Sequence, residues 1–506
     1  MIVKDKKHKR MITGRDSWIK ERIKPEQITK YLDNGRCFID AGQIESILKS
    51  NQSHDPKRIR DILQKSLAIE TLSPEETACL LHVEDPELLA EMKHTAAEVK
   101  VRVYDNRIVT FAPLYLNSFC VNDCQYCSFR CSNDQAKRRI LSLDEVRREV
   151  EVLAGVIGHK RLIVVYGEHP KSDVDYIAST LQAIGNVKVN TRRGWGQIRR
   201  CNVNAAPLSI EELQILNDVG IGTFQVFQET YHRPTYEKVH PAATIKGDYL
   251  WRMYCMHRAM EAGVDDVGLG ALFGLYDWKF EVMALLYHAI ELEDKFGIGP
   301  HTISFPRLEP AHNTPFVMNP EHSVDDDAFK RLVTVLRLAV PYTGLILTAR
   351  ENAQLRREVL PMGCTQTDAS TKIDIGGYAE ELDKDQHSEK QQFMLGDRRS
   401  LDDVVRELTQ VGFITSFCTA GYRCGRTGQK IMKLLRSGRE GQFCKLNAII
   451  TFREWLDDFG SEQTIEAGEK IIAKEIEQVR IRMPEIFEQF LKYYEKTKTG
   501  QRDLYF

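Results

Sequence analysis

Three cysteines stand close together in the string Cys120-Val-Asn-Asp-Cys124-Gln-Tyr-Cys127, a C-x3-C-x2-C spacing. Thiolates are soft donors that select zinc and iron-sulfur clusters. Two chemistries follow from three such ligands. Structural zinc closes with four ligands, and Cys131 is near enough in sequence to be the fourth. A 4Fe-4S cluster held by three thiolates instead keeps one iron free for a substrate or cofactor. A second group, Cys418, Cys424 and Cys444, recurs toward the end of the chain, while the other cysteines of the twelve are scattered.

Other reactive side chains sit at the ends of short apolar runs. Gly167-Glu168 closes one such run, where a carboxylate is also favoured by a following helix dipole. Gln228, Glu229, Tyr231 and His232 leave another together, a density of polar groups best tolerated where ligands satisfy them. Arg307, with Ser304 beside it, follows a third. A guanidinium fork there suits a carboxylate bidentately, or serves as a structural ion-pair partner. Arg350 and Glu351 follow a fourth and could pair with each other at the surface.

The elements that must position these residues alternate between short apolar runs and longer amphipathic stretches, the pattern of βα units and a parallel sheet. Eight runs are expected to be strands: 108–116, 161–166, 198–204, 222–227, 265–272, 302–306, 343–348 and, most weakly, 364–369. Eight strands close a (β/α)8 TIM barrel, whose chemistry gathers at the C-terminal ends of its strands. Ser73 with Glu76, Ser142 with Glu145 and Ser209 with Glu212 read as capping boxes, Ser172 with Asp175 as a similar start, and Ser400 as a further cap. The organisation expected is a helical N-terminal extension over 1–100, the barrel over 101–410, and a C-terminal extension over 411–506 ending in one or two charged helices. Residues 383–392 are polar enough to form a surface loop.

With 70 Lys+Arg against 72 Asp+Glu the net charge is −2, so no global basic field exists to attract nucleic acid. No apolar stretch approaches the roughly 18 residues of a membrane helix. The first 18 residues are basic without an apolar core, which predicts a solvated arm rather than a secretory signal, hence a reducing, cytoplasmic setting in which thiols stay available.

The cysteine triad after the first run resembles the hallmark of the radical S-adenosylmethionine (SAM) superfamily. The resemblance implies that SAM chelates the open iron, that Tyr126 approaches its adenine, and that Gly167 and Glu168 form a motif whose carboxylate accepts from the SAM ammonium. The longer strings Phe227-Gln-Glu-Thr-Tyr-His-Arg-Pro-Thr-Tyr236, Asp266-Val-Gly-Leu-Gly-Ala-Leu272 and Thr302-Ile-Ser-Phe-Pro-Arg-Leu308 look like the aromatic-amino-acid lyases of that superfamily. These are the tyrosine lyases of 2-iminoacetate synthase type, known from thiazole (thiamine) biosynthesis and from FeFe-hydrogenase maturation.

What the resemblance implies is cleavage of the Cα–Cβ bond of L-tyrosine to p-cresol and dehydroglycine, with a ferredoxin or flavodoxin as reductant. Cys120, Cys124 and Cys127 would hold the cluster, Tyr126, Gly167, Glu168 and Gln228 would bind SAM, and Arg307, Ser304, Glu229, Tyr231 and His232 would serve catalysis. His232 could shuttle the phenol proton. The cysteine-bearing tail points to hydrogenase maturation, with its partners and a second iron-sulfur cluster, at which the resemblance implies conversion of dehydroglycine to carbon monoxide and cyanide. The maturation enzyme's tail reads C-x2-C-x22-C, whereas Gly421 stands here at the middle position and Cys424 is the nearest replacement. Glu291 stands where that enzyme, as aligned by sequence, offers a histidine to an extra iron. An altered second site would leave a 2-iminoacetate synthase of thiazole type or a lyase of another amino acid; a non-enzymatic iron-sulfur scaffold is the remaining alternative.

Overall fold

The longest strand, β1 (Arg107–Asn117), is an 11-residue run buried along most of its length, the continuous apolar pattern of a strand covered on both faces. It anchors a closed parallel barrel in this computed structural model, which describes residues 21–52, 55–380, 388–437 and 440–506. The basic arm expected over 1–18 and residues 383–387 of the expected loop lie outside the described residues.

Around the barrel follow β2 (Arg161–Tyr166), β3 (Arg200–Asn204), β4 (Phe224–Gln225), β5 (Val267–Gly270), β6 (Thr302–Ser304), β7 (Gly344–Leu347) and β8 (Gln366–Asp368). Each pairs with the next, and β8 closes on β1 through Val109, Thr110 and Phe111. All eight expected runs contain a barrel strand. A ninth strand, β9 (Ile414–Ser416), went unforeseen: it adds to the start of β1 in parallel, Arg107 opposite Ile414. A two-stranded antiparallel ladder, Val189–Asn190 with Trp195–Gly196, stands apart from the barrel.

The crossovers are helices that start where their caps dictate. Ser73, Ser142 and Ser209 each accept from the third backbone N–H while Glu76, Glu145 and Glu212 reach back, full capping boxes. Ser400 accepts from Asp403 N. The helix Val174–Asn186 is capped by Asp173 rather than Ser172, which lies in a preceding short 3-10 turn.

Helices Ala41–Ser50, Pro56–Leu67, Pro74–Leu81 and Pro86–Tyr104 precede the barrel. After β9 come Gly428–Arg436, Glu440–Phe459, Glu462–Arg482 and Pro484–Lys498; the charged stretch is two helices because Pro484 lacks the N–H needed to continue the first. Buried charges tie this tail to the barrel, where Glu454 takes Lys160 at 3.1 Å and also Arg199, and tie the tail to itself, where Arg502 makes two hydrogen bonds to Asp458. No described helix is long and apolar enough to cross a membrane.

Along each strand alternate side chains point into the barrel, and depth along the strand decides which mouth they serve. On β1, Arg107 and Val109 face one mouth while Phe111, Pro113 and Tyr115 face the other. Phe111, Ile163 and Ile346 pack together between the two mouths. Gly268 and Gly270 on β5 make room for β4: a Cβ at Gly268 would meet Gln225 at 2.7 Å, and one at Gly270 would meet the Phe227 ring at 2.5 Å.

Candidate active site

The cavity at the C-terminal ends of the strands has a volume of about 220 Å³, and Cys120, Cys124 and Cys127 all stand on its wall. Burial pushes the Cys120 and Cys124 thiols up to about 11 and raises Cys127 as well, and each is raised further by a neighbouring thiol. Asn122 Nδ2 approaches Cys120 Sγ at 3.7 Å and Gln392 Nε2 approaches Cys127 Sγ at 3.6 Å. Cys131 is exposed and off the wall. Among the described residues no three Cys, His, Asp or Glu side chains form a group that could hold a single metal ion. Thiols that ring a cavity, each for a separate iron, are what a cubane requires, so the structural-zinc alternative loses its fourth ligand.

Glu168 is buried beside the thiols. Its Oε2 accepts from Asn122 Nδ2 at 2.5 Å, while its Oε1 has no partner among the described residues. Burial raises its pKa, opposed by Asn122 and by Arg22, Arg252 and Lys246. An unpartnered buried carboxylate oxygen facing a cavity fits a ligand cation, since leaving it empty-handed costs its full desolvation. Gly167 is set by close approach: a Cβ there would fall 2.4 Å from Phe119 O. Asn117 pins this junction by donating to Gly167 O, Phe119 O and Ser172 Oγ. Tyr126 lies on the same wall, its hydroxyl 2.7 Å from His240 Nε2.

Glu229 also faces the cavity, from a left-handed backbone at φ +73°. Burial raises its pKa, but Lys246 at 2.7 Å and Arg252 at 3.3 Å overcome this and hold the carboxylate below its usual range. A strained non-glycine residue persists only where its surroundings over-determine it, and here the buried cation pair does so.

Four predicted residues do not reach the cavity. Gln228 lies between Phe227 and Glu229 on the opposite side of the chain; it is buried with both amide atoms unpartnered among the described residues. Tyr231 is fully buried away from the wall, its hydroxyl 2.9 Å from His288 Nδ1 and its N–H donating to Glu281. His232 stacks on Tyr276 with ring centroids 3.7 Å apart, its Nδ1 on Thr235 Oγ1. Arg307 turns outward: its Nε donates to Glu351 Oε1 at 3.0 Å, its NH2 meets Glu351 Oε2, and its NH1 contacts Asp326.

The mutual Arg350–Glu351 pair is therefore not formed, because Glu351 is taken by Arg307. Arg350, rather than Arg307, faces the cavity beside Lys246 and Arg252, stacked 3.4 Å over the Phe393 ring, with Nη1 donating to Arg307 O at 3.3 Å. Ser304 is on the wall with it. Sequence reasoning missed Lys246, Arg252 and Glu309 here. Burial, with Glu351 nearby, lifts the Glu309 carboxyl to about 7.

The second cysteine group divides at the opposite mouth. Cys418 and Cys444 line a smaller cavity of about 80 Å³ together with Arg107, Arg161 and His301. Cys424 is not on that wall; its Sγ lies 3.8 Å from Phe506 O. Glu291 is on neither wall and pairs with His257 and Lys295.

The residues at the first mouth fit a 4Fe-4S cluster with an open iron, and a SAM ammonium at Glu168. Comparison with known proteins agrees. The family described as "Radical SAM superfamily" matches residues 114–286 and the "Biotin and Thiamin Synthesis associated domain" matches 304–414. The chain is 30% identical over 352 residues to the 2-iminoacetate synthase of Salmonella typhimurium, covering 69% of this chain and 88% of that protein. It is 29% identical to that of Escherichia coli over 371 residues, 73% of this chain and 93% of that one.

Among solved structures, HydG, a maturase of the FeFe-hydrogenase, superposes with TM-score 0.87 at 46% identity, covering 93% of this chain and 100% of that one. HydG from Carboxydothermus hydrogenoformans gives 0.75 at 35%, covering 90% and 97%. With the thiol ring, the glycine-glutamate junction and likeness along most of its length, this chain belongs to the radical SAM enzymes, in the family of the 2-iminoacetate synthases and HydG.

Proposed function

We propose that the chain cleaves the Cα–Cβ bond of tyrosine, releasing p-cresol and dehydroglycine. The observation that carries this reading is one cavity that joins the thiol ring and the unpartnered Glu168 oxygen to the Arg350 guanidinium, above an apolar floor of Phe111, Ile163 and Ile346. An α-amino acid with an aromatic side chain presents the matching set: a carboxylate, an amine and an apolar ring.

Cys120, Cys124 and Cys127 would hold the cluster and Glu168 the SAM ammonium. When bound, cluster and SAM supply one-electron hydrogen abstraction; the protein supplies binding, orientation and electrostatics. The electron comes from an external donor of ferredoxin or flavodoxin type.

Asn122 holds Glu168 in place and also accepts from Lys246 N–H through Oδ1, so the cysteine loop and the Lys246 turn move as one unit. Glu229 holds Lys246 and Arg252 beside the SAM site and offsets one of their two positive charges. Arg350 takes the substrate carboxylate, its plane fixed by Phe393 and Arg307 O. Glu309, held near neutrality, can exchange a proton with the substrate near pH 7.

The reading stops at cleavage. HydG supports maturation by whole-length likeness, and the 2-iminoacetate synthases support release of the small imino acid; the opposite mouth of the barrel separates the two. Incubation of the reconstituted protein with SAM, reductant and each aromatic amino acid in turn tests the substrate: 5′-deoxyadenosine should accumulate with tyrosine and stay at background with phenylalanine, which lacks the phenol. Accumulation with another amino acid but not with tyrosine overturns it.

A further inference from the structure

The cavity at the N-terminal mouth of the barrel lies beyond the Phe111, Ile163 and Ile346 layer from the first site. Resemblance to the maturation enzymes leads one to expect an auxiliary iron-sulfur cluster there. A cubane takes its stability from thiolates on separate irons, as in the ring of three at the first mouth. Among the described residues this wall carries two, Cys418 and Cys444.

Neither neighbouring residue makes up the count. Cys424 follows the short helix Ala420–Arg423, and its Sγ is directed to Phe506 O at 3.8 Å rather than to the cavity. The position that does face the cavity from this turn is Gly421. A Cβ there would meet nothing nearer than Arg426 O at 3.7 Å, an ordinary van der Waals contact. The backbone thus presents a place for a third thiol and the sequence leaves it empty. His301 is the single imidazole on the wall among the described residues, whereas histidine ligation of such clusters uses a pair on one iron.

We infer that this chain carries one resident cluster, at Cys120, Cys124 and Cys127, and that Gly421 alone removes the donor set for a second at the distal mouth. The donor count stands independently of the tyrosine reading. Its consequence, that dehydroglycine leaves the enzyme unconverted, rests on that reading.

The test is iron and sulfide content, with EPR of the reduced protein, after anaerobic reconstitution of the full chain. The wild type should hold about four irons and the Cys120→Ser/Cys124→Ser/Cys127→Ser variant fewer than about one. Adding Gly421→Cys to that triple variant should restore about four, with a cubane EPR signal. Cys424→Ser should change nothing.

About four irons in the triple variant without Gly421→Cys, or their loss from the wild type in Cys424→Ser, would overturn the inference. A Gly421→Cys chain that melts like its parent yet gains no iron would overturn the role of position 421. All of these readings are made without substrate, so they neither inherit nor decide the outcome of the tyrosine assay.

Discussion

Glu168 and Asn122 meet at 2.5 Å across the junction of β2 and the cysteine loop, and this single contact leaves the other carboxylate oxygen buried and unpartnered. The loop that carries the thiols and the strand end that carries the carboxylate are thereby fixed to each other before any ligand arrives. A charge-assisted hydrogen bond to a ligand ammonium is worth about 1.5–3 kcal/mol. Glu168→Gln should therefore weaken SAM binding by about 10- to 100-fold while leaving iron content unchanged, as read by equilibrium binding and by iron assay.

The two arginines at the β6 and β7 ends should separate by readout. Arg350→Ala removes the guanidinium proposed to take the substrate carboxylate and should lower kcat/KM for the amino acid by about 10- to 100-fold with little effect on melting. Arg307→Ala strands the buried Glu351 carboxylate and should cost about 3–5 kcal/mol of stability. Urea unfolding and steady-state kinetics on both variants check the assignment. A larger KM defect in Arg307→Ala than in Arg350→Ala would return the carboxylate to Arg307.

Much of this was legible in the chain, and the failures share one cause. The barrel strands announced themselves because parallel strands covered on both faces are continuous apolar runs. The first thiol triad is local, so spacing alone placed it. Gln228, Tyr231, His232 and Arg307 were assigned by adjacency to a strand end, yet adjacency does not say which side of the pleat a residue takes. Phe227 and Glu229 face in and Gln228 does not; Arg350 faces in and Arg307 does not. Lys246 and Arg252 reach the site from a distant turn and helix, and β9 is a three-residue strand with no pattern to read. Cys424 is near Cys418 in sequence but turned to the chain end, which spacing cannot show.

Gly167 tests the tight junction directly. A methyl group there would press on Phe119 O, and overpacking of this kind costs about 1–3 kcal/mol. Gly167→Ala should lower the urea midpoint accordingly and, because Phe119 precedes Cys120, reduce the iron retained after desalting.

Stability should also depend on pH through Glu281. Burial lifts its carboxyl to about 8, opposed by hydrogen bonds from Thr230 and the Tyr231 N–H. A carboxyl with a folded-state pKa above its unfolded value near 4.5 holds its proton more tightly in the fold. Its contribution is full below about 4.5 and is lost as pH rises toward about 8, at up to about 1.4 kcal/mol per pH unit. Glu281→Gln should flatten that slope, making the variant relatively more stable at pH 8 than at pH 5 by urea denaturation. An unchanged slope would mean that Glu281 ionises normally in the fold.

Carbon–carbon cleavage of tyrosine is the chemistry proposed for the first cavity. The most direct measurement is a single-turnover assay of the reconstituted protein with SAM, reductant and tyrosine, quantifying p-cresol, 5′-deoxyadenosine and the glyoxylate that dehydroglycine yields on hydrolysis. The account predicts all three in equal amounts. SAM cleaved to 5′-deoxyadenosine without p-cresol would contradict it.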